Sequence, residues 1–446
     1  MTQMEGGTGP DTVTERPADS PGSRGAGPAG AATELVSSPE VMANSLGEYT
    51  RLWLRRIRSG ESGALPVVIG LIAIVIYFQV RAPVFLSAGN LVNLMTQAAF
   101  IITLGMSEVF VLLLGDIDLS SGYNAALGAV VMAWMLSLSS PLPWWLAVIA
   151  GLAFSAALGA LQGVIITRLR LPSFVVTLAG YLGFYGLLLY LIDVAAPGSG
   201  GTIRVDNNII LNIEGSNLSP AASWIVMAVA VVITGLVMWT RDGRRRSAGL
   251  AAPPAAVTLL KVALMAVAGV VVVLVGNHNR GVGFGVVEGV PWVVVLLVVV
   301  LVAWTVLLGR TRFGRYVYAT GGNAEAARRA GINLRRIRVA AFTLAGLTAG
   351  ITGIIYASNL GSISNNVNGG QLVLLAVAAA VVGGTSLFGG RGKMLGAVLG
   401  GLVVGVIYNG LGLLGLGAAA QNIWTALVLL AAVTVDSLAR RGSTAR

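Results

Sequence analysis

Twelve apolar runs separated by polar segments constrain this chain more than any other feature of its sequence. We predict membrane helices at roughly 65–81, 91–114, 121–138, 143–167, 173–192, 221–240, 253–276, 291–309, 338–357, 371–388, 394–414 and 421–438. A helix that crosses the hydrocarbon needs about 20 apolar residues, and several runs are shorter. The pattern therefore predicts an all-α polytopic integral membrane protein with about 12 membrane helices, some of them broken or half helices.

The composition supports this fold class and excludes most enzymes. Charged residues make up 11% of the chain, against about 25% in soluble domains. The 60 glycines indicate helices whose backbones approach closely. Cysteine is absent and His278 is the only histidine, so disulfides, thiol catalysis, Cys-zinc sites and His-based catalytic triads are not expected. We expect no catalytic residue, no metal site and no cofactor on this chain.

The distribution of charge predicts how the chain sits in its membrane. Residues 1–50 hold seven acidic and two basic side chains and lack apolar periodicity, so we predict a disordered cytoplasmic tail, followed by a transmembrane domain at 51–446. Twelve crossings place 23 Lys and Arg residues on one side and only Arg81, Arg204 and Arg280 on the other. By the positive-inside rule both termini are cytoplasmic, and residues 193–220 and 277–290 form external loops. The net charge of +11 thus reflects membrane orientation, and we expect no nucleic-acid partner.

An internal repeat divides the chain. GDIDLSSGYNAALGAV at 115–130 aligns without gaps to GGTSLFGGRGKMLGAV at 383–398, with seven of sixteen positions identical. Each copy has the pattern of a helix, a Gly-rich break and a second helix. A backbone break is tolerated at membrane depth only against protein or water. Two halves related by a parallel repeat are common in transporters, which carry their substrate between the halves.

Two acids in the first copy call for an explanation, because a charge in hydrocarbon costs several kcal/mol. Gly115 and Gly383 mark the two breaks, and we predict that Asp118 caps a helix that begins near Leu119, as Ser386 does in the second copy. Asp116 is close enough to feel the same helix dipole. No Lys or Arg between residues 81 and 168 can pair with these acids, and the sequence does not explain why a charge stands at Asp116. The alternative is a substrate or proton site.

No nucleotide-binding motif is present. The segment GGRGKM resembles a phosphate loop, but that motif requires Gly at position 387 and Ser or Thr at 394. The chain has Leu387 and Met394 instead. Any dependence on ATP must therefore come from another subunit.

The polar segment 310–338, RTRFGRYVYATGGNAEAARRAGINLRRIR, lies on the predicted cytoplasmic side. Asn323 can cap a short helix spanning Ala324–Ala330, with Glu325 in its first turn, Arg328 and Arg329 in its last, and Gly331 as the residue that ends it. So short a helix is not stable alone in water. The interpretation we favour is a helix that docks into a cleft on a cytoplasmic partner, and the alternative is a well-capped loop.

Several motifs resemble one family. TRFGRYVYA followed by GGNAEAARRAGI is similar to the cytoplasmic coupling loop of permease subunits in bacterial ABC importers of the ribose and xylose type. GDIDLSSG, LPSFVVTLAG and AAAVVGGTSLFGGRGKMLGA also resemble segments of that family. The resemblance covers about residues 65–440 and is strongest to the xylose permeases. The family motif usually has Gly where this chain has Asp116, and the acidic tail has no family counterpart.

The resemblance implies a permease subunit in the bacterial inner membrane that translocates a monosaccharide, such as the pentose xylose. It also implies a permease homodimer in the lipid bilayer, cytoplasmic ATP-binding subunits, and a soluble extracytoplasmic sugar-binding protein. By analogy with the family, the short helix would couple the chain to the ATPase. The coupling residues are then Asn323, Glu325, Ala326, Ala327, Arg328, Gly331 and Ile332.

A path for a neutral sugar should use amides and hydroxyls rather than charges. The candidates are Asn93 and Gln97 in the first half, and Asn359, Asn365 and Gln371 in the second. The alternative function is an ion-coupled secondary sugar transporter that uses Glu108, Asp116 or Asp118 as its proton or sodium site. A third possibility is a membrane scaffold without transport.

Overall fold

A computed structural model describes residues 65–138, 141–249, 252–281 and 285–427, together with Gly47, Arg51, Leu430, Ala431 and Thr434. The predicted tail at 1–50 and the basic stretch at 51–58 therefore lie outside the described residues, apart from Gly47 and Arg51. The predicted last helix is described continuously only as far as Leu427, and residues 418–427 are helical.

The described part is helical apart from its connections and one pair of short strands. The helices are α1 (Leu65–Arg81), α2 (Ala88–Leu112), α3 (Ser121–Ser137), α4 (Trp144–Leu169), α5 (Ser173–Ala195), α6 (Asn208–Gly215), α7 (Pro220–Ser247), α8 (Ala255–Asn277), α9 (Trp292–Arg310), α10 (Arg312–Gly322), α11 (Ala324–Arg329), α12 (Leu334–Leu360), α13 (Gly369–Val382) and α14 (Met394–Leu413). The strands are β1 (Thr202–Arg204) and β2 (Ser362–Ser364).

Eight of the described helices are long and apolar enough to cross a membrane: α2, α4, α5, α7, α8, α9, α12 and α14. The apolar helices α1 and α13 are shorter. The predicted all-α polytopic fold with broken helices is therefore confirmed. Local signals start several of these helices: Ser219 accepts a hydrogen bond from the Ala222 N–H at the start of α7, and Pro172 immediately precedes α5.

Helix α12 forms the centre of the bundle, where it packs against α2, α3 and α4. Small residues let these backbones meet. A Cβ added at Gly353 would lie 1.9 Å from the Ala125 carbonyl oxygen, and one added at Gly159 would lie 3.1 Å from the Gly346 Cα. These contacts account for part of the high glycine content, because only a residue without a side chain permits such approach between helices.

The bundle has two distinct ends. The basic end carries α10, α11, the start of α12, and the two connections 113–120 and 383–393. At the opposite end β1 and β2 pair antiparallel, with Ile203 aligned on Ile363. Arg81, Arg204 and Arg280 all lie towards the opposite end. Among the described residues, the predicted separation of basic side chains between two ends is therefore present.

The segment 193–220 at the opposite end is folded rather than a plain solvated loop. It contains β1 and α6, and the Ser358 hydroxyl ties α6 to α12 by accepting from the Glu214 N–H at 3.1 Å and donating to the Leu211 carbonyl at 3.2 Å. Burial raises the pKa of the Glu214 carboxyl group to about 7, although a hydrogen bond with the Asn359 side chain acts to lower that pKa. The segment 277–290 is also ordered where described, because the Asn279 side chain accepts from two backbone N–H groups.

Two helices begin part-way along the bundle. The first turn of α3 is level with the middle of α12, since a Cβ at Gly346 would lie 3.2 Å from the Asn124 side-chain nitrogen. Helix α13 begins beside it, where a Cβ at Gly122 would lie 2.1 Å from the Gly369 carbonyl oxygen. The half helices that the short apolar runs predict are thus α3 and α13, and their N-termini face each other inside the protein.

Candidate functional site

The exposed helix α11 at the basic end has the structure that its sequence predicts. The Asn323 Oδ1 atom accepts from the Ala326 N–H at 2.9 Å. Glu325 pairs with Arg328 at 2.9 Å and with Arg329 at 3.1 Å. Hydrogen bonds from these two arginines lower the pKa of the Glu325 carboxyl group. The predicted cap and charge pattern are confirmed.

The end of α11 comes one residue earlier than predicted, at Arg329, with Ala330 as its C-cap. Gly331 has a φ of +82°, and Ile332 donates its N–H to the Ala327 carbonyl at 3.1 Å, which is the left-handed glycine ending typical of helices. Ala327 is buried and Ile332 packs on the main core, whereas Ala326 is exposed. Ala327 and Ile332 therefore anchor a helix whose outer face is free to meet a partner.

Helix α10, which leads into α11, lies against both helix breaks. A Cβ added at Gly321 would lie 1.7 Å from the Leu113 carbonyl oxygen and 2.7 Å from the Gly390 nitrogen. The Tyr318 hydroxyl donates to the Gly392 carbonyl at 2.8 Å. Burial raises the pKa of the Tyr318 hydroxyl, so it stays a donor. One short helix thus contacts the first break through Leu113 and the second through Gly390 and Gly392.

The two breaks also contact each other. The Gly390 N–H donates to the Leu113 carbonyl at 2.9 Å, and a Cβ added at Gly389 would lie 2.9 Å from the Gly115 nitrogen. The twelve predicted helices place residues 115–120 and 389–393 on the same side of the membrane, and these contacts bring the two breaks together at one end of the bundle. Leu113 belongs to the turn that follows α2 and Gly390 to the loop after α13. The two helix breaks and Gly321 therefore form one cluster at the basic end, which we call the break junction.

The first break is held by side chains from other helices. Asp116 forms an ion pair with Arg338 of α12, whose Nε atom lies 2.7 Å from its Oδ2 atom. The Ile117 carbonyl accepts from the Thr177 hydroxyl of α5 at 3.1 Å. A positive φ of +76° at Gly115 starts the turn. The structure therefore supplies the missing partner of Asp116, which comes from the second half of the chain.

The predicted caps at Asp118 and Ser386 are wrong. Helix α3 begins at Ser121 rather than near Leu119, and α14 begins at Met394. The Asp118 Oδ1 atom accepts from the Ser120 N–H at 2.8 Å, and the Ser386 hydroxyl accepts from the Phe388 N–H at 3.0 Å. Each side chain accepts a hydrogen bond from the backbone N–H two residues later and so closes a turn. The two residues are therefore equivalent across the repeat, but as turn residues and not as helix caps.

A buried polar network surrounds the start of α3. Glu108 of α2 is fully buried and accepts from the Ser121 hydroxyl at 2.5 Å. The Ser120 hydroxyl donates to Asp118 at 2.7 Å and accepts from the Gln162 amide at the same distance. Acids at a helix N-terminus are favoured by the helix dipole. No local pattern in the sequence marks Gln162, because its partner Ser120 lies 42 residues away in the chain.

Glycines with positive φ shape most of the second break. Gly383 is the C-cap of α13. Gly384, Gly389 and Gly390 have φ values of +89°, +85° and +73°, which L side chains adopt only with strain. The Ser386 N–H donates to the Arg391 carbonyl at 2.8 Å, which closes the loop on itself.

A cavity of about 620 Å³ lies beside both half-helix starts. Gln371 lines it and donates to the Tyr408 hydroxyl at 2.5 Å and to the Asn422 side chain at 2.9 Å. Its other polar groups come from Tyr181, Asn368, Asn422 and Thr425, and Leu119, Leu178, Gly370, Val373, Leu374, Leu375 and Ala426 complete the lining. No charged side chain of the described residues lines this cavity.

The other four candidates for a sugar path lie elsewhere. Asn93 is exposed, and Gln97 accepts from Asn409 at 3.3 Å. Asn359 neighbours Glu214 at the opposite end, and Asn365 lies beside Gly201 next to the strand pair. The structure therefore places only Gln371 in the cavity and does not bring the five together. Among the described residues no group of three or more His, Cys, Asp or Glu side chains could hold a metal ion.

Comparison with known proteins agrees with this architecture. Residues 90–435 match the family described as branched-chain amino acid transport system / permease component. The chain is 35% identical to the xylose transport system permease protein of Escherichia coli (strain K12) over 84% of its own length and 92% of that protein. It is 30% identical to the ribose import permease protein of the same strain, over 87% of its length and 96% of that protein. No solved structure matches the chain.

Proposed function

The chain belongs to this permease family, within which its relatives are permeases of sugar transport systems, and we propose that it translocates a monosaccharide across the cytoplasmic membrane with energy from a separate ATPase subunit. A pentose such as xylose is the sugar we favour, because the xylose permease is more similar to this chain than the ribose permease, at 35% against 30% identity.

The main observation behind the proposal is the close contact of Gly321 with both helix breaks. Its backbone fits against the first break at Leu113 and the second at Gly390, and the exposed helix α11 begins two residues after Gly322. A force applied to α11 by a cytoplasmic subunit would therefore reach both breaks through α10. The residues that would meet the ATPase are Asn323, Glu325, Ala326 and Arg328, with Ala327, Gly331 and Ile332 fixing the shape of α11.

The cavity around Gln371 supports a neutral substrate. It offers amide and hydroxyl groups and no charged side chain, which suits the hydroxyls of a sugar. A branched-chain amino acid carries an ammonium and a carboxylate group, and each is expensive to desolvate without a charged partner. The lining thus favours a sugar over the substrate class in the family's description.

Orientation and partners follow from the same reasoning. The excess of Lys and Arg at the basic end favours a cytoplasmic location for that end and for both termini. The opposite end, with β1, β2 and α6, would then receive sugar from a soluble binding protein. We further propose a permease homodimer, on the family resemblance.

The test is transport by proteoliposomes that contain the permease, its ATPase subunit and its binding protein. Gly321→Ala inserts a methyl group against Leu113 and Gly390, while Gly322→Ala is a matched control because a Cβ at Gly322 meets nothing within 4 Å. An overlap that costs about 1.4 kcal/mol or more corresponds to at least a ~10-fold loss. We expect sugar-stimulated ATP hydrolysis to fall by that factor in Gly321→Ala and to stay near wild type in Gly322→Ala.

Equal activity of the two variants, both correctly folded, would contradict the coupling route through Gly321. Uptake of xylose and of ribose in the same vesicles separates the two pentoses. Uptake that collapses with an uncoupler yet survives without ATP would contradict the ATP-driven mechanism and restore the ion-coupled alternative.

A further inference from the structure

A second cavity, of about 260 Å³, lies at the basic end where α4 ends and α12 begins. Arginine side chains dominate its polar lining. Arg170 follows the last turn of α4, and Arg335 and Arg338 belong to the first turns of α12. Thr167 adds a hydroxyl, and the remaining lining residues are Ile166, Leu171 and Leu334. No acidic side chain of the described residues lines this cavity, which we call the arginine pocket.

Only one of the three arginines is neutralised within the described part of the chain. Arg338 pairs with Asp116 at 2.7 Å, and no ion pair there involves Arg170 or Arg335. The two remaining positive charges lie around one small cavity and repel each other, and that repulsion is relieved when an anion enters. The N-terminus of α12 adds its positive dipole end, with Leu334 at the pocket wall. The electrostatics therefore favour an anionic ligand.

The left-handed backbone conformation at Arg170 is a second, independent indication that the arginine pocket is a binding site. Its φ of +55° makes it the one non-glycine residue with positive φ among the residues that the structure describes. It is the C-cap of α4, and the left-handed conformation at a helix end usually belongs to Gly or Asn. Strain of this kind is concentrated at functional sites, where it is retained because it places a side chain.

The surroundings of the pocket indicate which anion it takes. Leu169, Leu171 and Phe174 next to it are 64%, 40% and 53% exposed. These apolar side chains follow Arg168 and continue directly into the spanning helix α5. A ligand with a charged head and a hydrocarbon chain would cover both surfaces together. Free phosphate would cover only the pocket, and a carboxylate from a protein partner would leave the apolar residues exposed.

We propose that the arginine pocket binds the phosphate group of an anionic phospholipid, whose acyl chain lies along Leu169, Leu171 and Phe174. The lipid would belong to the leaflet at the basic end. Because Arg338 also holds Asp116, the bound headgroup would sit one residue away from the break junction. The site therefore places a membrane component beside the segment that we propose couples the two halves.

Native mass spectrometry of the purified full-length permease tests the proposal, with phosphatidylglycerol and phosphatidylcholine as probes. Arg335→Gln removes one pocket arginine, and Arg336→Gln is a matched control because it removes the neighbouring charge, also exposed, outside the pocket. Loss of one basic group near a bilayer weakens lipid binding by roughly fivefold. We expect the wild type and Arg336→Gln to retain phosphatidylglycerol preferentially, and Arg335→Gln to retain about fivefold less.

A double variant, Arg335→Gln with Arg170→Asn, should lose about 25-fold, and asparagine tolerates the left-handed backbone at position 170. Equal losses of bound phosphatidylglycerol in Arg335→Gln and Arg336→Gln would contradict the proposed lipid site. The absence of a preference for phosphatidylglycerol in the wild type would contradict it as well. Displacement of the lipid by millimolar inorganic phosphate would overturn the lipid assignment in favour of a free anion. Loss of the preference on addition of the ATPase subunit would overturn it in favour of a protein carboxylate.

Discussion

The two helix breaks share a pattern in the sequence but are stabilised in different ways. In the first, Asp116 and Asp118 bind partners on Arg338 and Ser120. In the second, the positions aligned with these acids are Gly384 and Ser386, and Gly389 and Gly390, which have positive φ, shape the loop. Side chains therefore determine the first conformation, whereas backbone freedom determines the second.

This difference teaches that a repeat can conserve a junction without conserving the interactions that hold it. Both breaks expose backbone groups that must be paired inside the protein. In the first, the N–H and the carbonyl of Ile117 are paired with the Ser173 and Thr177 hydroxyls of α5. In the second, the carbonyls of Ser386 and Arg391 accept from the loop's own N–H groups, and the Gly392 carbonyl accepts from Tyr318. We expect the first break to depend on distant residues and the second on local glycines.

The largest expected effect tests the glycines of the second break. Gly390→Ala combines a left-handed backbone with a Cβ 2.9 Å from the Gly322 Cα, so we expect a loss of about 3 kcal/mol in the free energy of unfolding. Position 384 also has a positive φ, but a Cβ there meets nothing within 4 Å. Gly384→Ala should cost only about 1–2 kcal/mol. Unfolding in an SDS titration measures both variants, and equal losses would contradict a role for the contact.

The ion pair of the first break should have the next largest effect. Arg338→Ala leaves Asp116 buried without its partner, and we expect about 2 kcal/mol of destabilisation, because the 36% exposure of the arginine reduces the ~3–5 kcal/mol typical of fully buried pairs. Asp116→Gly restores the residue of the second copy and should recover most of that loss in the Arg338→Ala background. A double-mutant cycle on unfolding free energies measures the coupling. Purely additive losses would show that the pair contributes nothing beyond its separate side chains.

The smallest expected effect concerns the turn residue that the two copies share. Asp118→Ser places at position 118 the residue found at 386, and its hydroxyl can accept from the Ser120 N–H, so we expect a loss of less than about 1 kcal/mol. Asp118→Ala leaves that buried N–H without a partner and should cost about 1–3 kcal/mol. Thermal unfolding in detergent ranks the two variants. If Asp118→Ser lost transport while it kept nearly wild-type thermal stability, the carboxylate would have a functional role.

Local sequence predicted the elements whose physics is local. Apolar runs gave the membrane helices, and Asn323, Glu325 and Gly331 predicted α11 to within one residue, because caps and dipole interactions act within one helical turn. Gln371 was identified from the requirement for neutral polar groups, and it lines the large cavity. These signals do not depend on how distant parts of the chain pack.

Features that depend on distant packing could not be predicted. Asp116 and Arg338 are separated by more than two hundred residues in the sequence, so no spacing rule connects them. Whether Asp118 caps a helix or closes a turn depends on where α3 begins, and Ser121 is held there by Glu108 of α2. The fold of 193–220 requires β2, which lies in the other half. Each of these outcomes is decided by tertiary contacts that override local preference.

The hydrogen bond from Gly390 to Leu113 has a consequence for how the two copies can evolve. Both its donor and its acceptor are backbone groups, so the bond places no demand on the Leu113 side chain, whereas position 390 requires glycine for its φ of +73°. Mutations can therefore accumulate in one copy without a compensating change in the other, provided that the backbone path is kept. Nine of the sixteen aligned positions differ, and the first copy has an ion pair, between Asp116 and Arg338, that the glycine at position 384 cannot form.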